Sequence, residues 1–115
     1  MQPAKLELEK LPGVNGGSLV TRLRGKLSLE TVHNFIETMR AEPALHLILD
    51  MSGVTFLDSA GVGALVSLFV SRRNVQKALG LASLTQQGTA VMQVAGLMSV
   101  LPIFPTVEAA IAARK

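Results

Sequence analysis

The sequence predicts an α/β fold: an open mixed β-sheet of four to five strands with about four helices packed on it, formed as one domain over residues 1–115. Three observations predict it. Two segments near the start alternate apolar and polar residues with period two, as the arms of a β-hairpin do. After them, short apolar runs alternate with stretches whose apolar residues recur at helical spacing. No linker, internal repeat or low-complexity segment interrupts the series. Strands alternating with helices after an opening hairpin imply a sheet with helices laid on it.

The elements follow in order. Lys5 to Glu9 alternates Leu with charge, as a half-buried strand does. Leu11 to Gly17 reads as a turn, since Gly and Asn supply positive φ and Pro fixes its own. Ser18 to Gly25 alternates again, with Leu19, Thr21 and Leu23 on one face and Val20, Arg22 and Arg24 on the other. Ser28 suits a helix cap, and Leu29, Val32, Ile36 and Met39 fall on one helical face that ends near Pro43. Leu45 to Leu49 has the pattern of a buried central strand. Asp50 to Asp58 reads as a loop into a helix from about Ser59 to Lys77. Leu79 to Leu84 is a further strand. Gly88 to Leu97 is a helix, with Val91, Val94, Ala95 and Met98 in register. Pro102 to Phe104 is a short extended piece. Thr106 caps a last helix, with Glu108 at its positive end and Arg114 and Lys115 at its negative end.

Composition bounds the function classes. A chain of 115 residues buries roughly 65% of its unfolded surface, enough for a core without staples. The 49% hydrophobic and 17% charged residues fit a globular domain. With no Cys, disulfides, thiolate zinc sites and Cys nucleophiles are excluded. Lys and Glu break up residues 1–10, so they do not form a signal peptide. The longest nearly apolar run, Ala60 to Val70, is too short to span a bilayer. A soluble, cytoplasmic protein without membrane contact is expected. The net charge of +3 comes with no basic patch interleaved with aromatic residues, so direct nucleic-acid binding is not expected.

The stretch Leu57-Asp58-Ser59-Ala60-Gly61-Val62-Gly63 is the most informative. It joins a buried strand to a helix, and ligands of open α/β sheets gather beyond strand carboxyl ends. Asp58 suits an N-cap that accepts from Ala60 or Gly61, with Ser59 as first helical residue; a one-residue slip would make Ser59 the cap. Two early glycines, at about 1 kcal/mol each, mark either a close approach to the backbone or an ordinary tolerated helix start. As a nucleophile Ser59 would need a base, and neither His33 nor His46 is placed to serve. Phosphate-binding glycine motifs and metal-ligand spacings are lacking. Asp50 and Asp58 would approach each other if the stretch between them folds back as a loop, which by itself makes no metal site. The expectation is a protein that is not an enzyme and carries no cofactor. The apolar face Val62, Val66, Phe69 and Val70 is either a partner patch or covered by neighbouring helices.

These residues resemble the STAS domain family (sulfate transporter and anti-sigma factor antagonist). The likeness rests on Leu45 to Asp50, Met51 to Leu57, the Asp58-Ser-Ala-Gly-Val-Gly63 motif, and the tail from Val94 to Phe104 followed by Val107 to Ala110. It covers essentially the whole chain. The resemblance implies an anti-sigma factor antagonist that sequesters an anti-sigma factor with serine kinase activity, is phosphorylated by it on Ser59, and is restored by a serine phosphatase. It places Asp50, Asp58, Ala60, Gly61, Val62, Gly63 and Ser28 around the phosphosite and partner surface. Two positions depart from the family pattern: Ala60 stands where a second Ser or Thr is common, and Ser28 where some antagonists carry Asp. The resemblance also allows a non-switching subunit or scaffold, in a lipid-transport or stressosome-like complex. A monomer or weak dimer is expected.

Overall fold

The computed structural model describes residues 4–11 and 18–113. The expected hairpin turn at 12–17 and the basic end of the last helix, Arg114 and Lys115, lie outside the described residues. The order of elements is β1 (Leu6–Leu11), β2 (Ser18–Leu27), α1 (Val32–Arg40), β3 (His46–Leu57), α2 (Ser59–Asn74), β4 (Ala78–Ala82), α3 (Gln86–Val94), β5 (Ile103–Phe104) and α4 (Val107–Ala112). The sheet runs β1-β2-β3-β4-β5. β1 is antiparallel to β2, and every other pair is parallel. This is the expected open mixed sheet of five strands with four helices.

Alternation along the strands divides the core between two faces. Leu23, Leu47, Leu49 and Leu81 face a large cluster with Phe35 and Met39 of α1, Leu65 and Leu68 of α2 and Met92 of α3. Val20, Ile48 and Ala82 face a smaller cluster under Ala110 of α4. Three helices therefore cover one side of the sheet and one short helix covers part of the other.

Three expectations are corrected. Residues 50–57 are strand, not loop: β3 runs twelve residues and pairs with β2 as far as Leu27 opposite Leu57. The pairing continues past the polar residues there with one extra residue on β3 at each of two points, between Asp50 and Gly53 and between Val54 and Phe56. Ser28 does not cap α1. The helix starts at Val32 after Thr31, whose side chain makes no cap bond and instead donates toward the Lys26 and Ser28 carbonyls. Leu29 is 75% exposed in that turn, off the apolar face. On α3 the buried residues are Gly88 and Met92, while Val94 is 91% exposed and Ala95 and Met98 are also exposed. Thr106 does cap α4, accepting from the Ala109 amide at 3.0 Å.

Candidate functional site

The site grows from the carboxyl end of β3. Asp58 leaves the strand with extended backbone and caps α2, its Oδ1 accepting the Gly61 amide at 2.9 Å. Its other oxygen accepts the Leu29 amide at 3.2 Å. One carboxylate thus ties the start of α2 to the turn after β2. Both oxygens are used, which holds the turn in one arrangement. Asp58 is the cap and Ser59 the first helical residue, as the first of the two registers required.

Ser59 is exposed, and no hydrogen bond to a described residue engages its hydroxyl. It stands at the positive end of a sixteen-residue helix. Ala60 is half-buried; Gly61 and Val62 are buried; Gly63 is exposed. The two glycines differ. A methyl on Gly61 would lie 2.2 Å from the Leu27 carbonyl oxygen, whereas one on Gly63 would meet nothing within 4 Å. The close approach is therefore internal: α2 presses against the end of β2.

Ser28 adjoins this turn. It is buried, and its hydroxyl makes no hydrogen bond to a described residue. Asp50 does not join it. Seven residues of strand at ~3.3 Å each put roughly 20 Å between Asp50 and Leu57. Asp50 accepts from the Ser52 amide (3.1 Å), the Ser52 hydroxyl (2.8 Å) and Arg22 Nε (3.2 Å). Burial pushes its carboxyl up, but the Ser52 donors and the Arg22 cation outweigh that and hold it below the usual range. It borders a cleft of about 470 Å³ beside α4, together with Arg22, Ser83 and Glu108.

The histidines lie elsewhere. His46 is buried at the start of β3 against Ser18 (2.8 Å), and His33 is exposed on α1 beside Glu37. No group of three or more His, Cys, Asp or Glu among the described residues is arranged to hold a metal ion. On the α2 face, Val62 is buried and Val66 and Phe69 pack on the main core, leaving Val70 exposed. Most of that face packs on the fold, with Val66 and Phe69 only half-buried.

Besides the Leu29 bond, a second contact at the site was missed from sequence. Gln87 of α3 accepts the Leu57 amide at 3.0 Å and donates to the Leu57 carbonyl at 2.8 Å. Gln87 is one of three glutamines on α3, so the sequence neither singles it out nor reveals its target.

The family model of the STAS domain matches residues 5–110. Among solved structures, an anti-sigma factor antagonist from Mycobacterium paratuberculosis superposes with a TM-score of 0.81 at 20% identity, covering 95% of this chain and 93% of that one. The anti-sigma factor antagonist SpoIIAA in its unphosphorylated form superposes with a TM-score of 0.73 at 23% identity, covering 93% of each chain. The murine anion transporter Solute Carrier 26 family member A9 has a TM-score of 0.73 at 22% identity; the match covers 84% of this chain but 17% of the transporter. At these identities the likeness is one of fold.

Proposed function

The chain belongs to the STAS domain family, and from that premise we propose that it is an anti-sigma factor antagonist controlled through Ser59. Unmodified, it binds an anti-sigma factor that is also its serine kinase. Phosphorylated on Ser59, it lets that partner go, and a serine phosphatase resets it. The observation that carries this reading is the exposed, unengaged Ser59 hydroxyl on a turn tied down by Asp58. Two antagonists among the similar folds, one described in its unphosphorylated form, support it.

The charge arithmetic supports control by occlusion. A phosphoryl group adds about −1.5 to −2 charges. The helix end favours it by ~0.3–1 kcal/mol while the neighbouring Asp58 opposes it, so the fold itself changes little. An unpaired charge forced into a contact costs about 2–5 kcal/mol. At ~1.4 kcal/mol per tenfold, binding weakens roughly 30- to several-thousand-fold.

Pull-down from a bacterial lysate with wild type, Ser59→Ala and Ser59→Asp tests this. Ser59→Ala should hold a kinase-like partner and Ser59→Asp should lose it. Equal capture by both variants would remove the switch. The fold's occurrence as a small part of an anion transporter favours a second reading, a non-switching STAS subunit or scaffold. That reading expects stable co-purification with transport or scaffold subunits, the same for both variants.

A further inference from the structure

We propose that Gln87 is a positioning residue for Ser59: its carboxamide stands in for the strand that β3 lacks and so sets where the Ser59 turn leaves the sheet.

β4 ends at Ala82, opposite Asp50. β3 continues seven residues further, to Leu57, with β2 beside it on one edge and, among the described residues, no strand on the other. An unpaired strand end frays unless its amide and carbonyl are met. At Leu57 both are met by one side chain, through the Gln87 Oε1 and Nε2 contacts at 3.0 and 2.8 Å. A carboxamide has the donor and acceptor of a peptide group, so this pair reproduces a ladder contact. α3 is close enough to make it because Gly88 packs near the Leu57 side chain, and Thr85 caps the helix by accepting the Gly88 amide.

Leu57 is followed directly by the cap Asp58 and then by Ser59. The turn thus has two independent anchors. Asp58 binds it to α2 and to the turn after β2. Gln87 binds its strand side to α3. Without the second anchor, Leu57 is held on one edge only, and the hydroxyl at position 59 no longer keeps one place over the α2 terminus.

The chain has no cysteine, so Ser59→Cys introduces a single thiol whose ionisation reports its place at the helix end. The experiment compares the pH profile of iodoacetamide alkylation for Ser59→Cys alone, with Gln87→Met, and with Gln93→Met. The last makes the same change at an exposed position of the same helix. The Gln87→Met profile should move about 0.2–0.7 pH unit higher, as the thiolate loses the helix-end field. The Gln93→Met profile should not move. A shift common to both, or absent from both, overturns the proposal. If Gln87→Met does not fold, Gln87→Asn, one methylene too short to span both groups, takes its place in the same comparison. The importance of this positioning rests on reading Ser59 as the phosphosite, but the measurement needs no kinase. A failed pull-down with an intact thiol shift would reject the phosphosite and leave the positioning standing.

Discussion

Gly61 and Gly63 lie two residues apart in one helical turn, and the structure gives them opposite meanings. A Cβ at Gly61 would press into the Leu27 carbonyl and the Leu57 side chain, at 2.2 and 2.7 Å. One carbonyl belongs to backbone that Asp58 also holds, so it cannot yield cheaply. Gly61→Ala should cost about 1–3 kcal/mol, as overpacking does. Gly63→Ala meets open space within a helix and should gain up to about 1 kcal/mol. Urea denaturation of the two variants checks both signs; equal effects would contradict the close approach. Sequence reading treated the pair alike, because glycine spacing says that a close approach is possible but not against what. The same limit holds at Asp58. Its role as a cap was readable from neighbours in sequence, while its bond to Leu29, 29 residues away, was not.

At the scale of elements, the strand β3 decides what the site contains. Read as a loop, residues 50–57 would let Asp50 approach Ser59; as a strand, they hold it seven residues back, opposite the end of β4. α3 was misphased for a compositional reason. From Ala78 to Val107 the chain holds no charged residue, so the contrast that reveals a helical face is missing. α2 hides another feature. Arg72, readable as a cation at a helix end, is buried and donates to the carbonyls of Glu42, Ala44 and Ala78. It staples α2 to the segment before β3 and to the start of β4. Burial lowers its pKa, partly countered by Glu42, without threatening its charge at neutral pH. Arg72→Met strands those carbonyls and should cost about 3 kcal/mol or more, read from chemical denaturation. Arg72→Lys should recover part of that, since an ammonium cannot reproduce the guanidinium fork. Loss of less than ~1 kcal/mol in Arg72→Met would show that water serves the carbonyls equally well.

For the whole molecule, two buried carboxylates set the response to acid. Burial raises both. At Asp50 the Ser52 donors and Arg22 outweigh it; at Glu42 the Lys10 ion pair at 2.8 Å, the Ala44 amide and Arg72 do. Both folded values therefore lie below the unfolded ones. Their contribution is complete above about pH 5 and is lost as pH falls through the depressed folded values. Melting temperature should drop on that acid limb, and Asp50→Asn should flatten the drop while lowering stability at pH 7. An unchanged acid limb in Asp50→Asn would refute the assignment. No helix among the described residues is long and apolar enough to cross a membrane, as the short apolar runs implied. The sequence by itself determined the element order, the sheet's mixed character and the motif that presents Ser59, because periodicity, capping and turn chemistry act between residues close in the chain. Only the tertiary structure decided which groups surround that motif: Leu29 and Gln87 come in, and Asp50 goes out. Those contacts span tens of residues, and their partners are chosen by strand length and register, which local pattern does not encode. Ser59 was visible as an exposed hydroxyl on a helix start; what holds it in place was not.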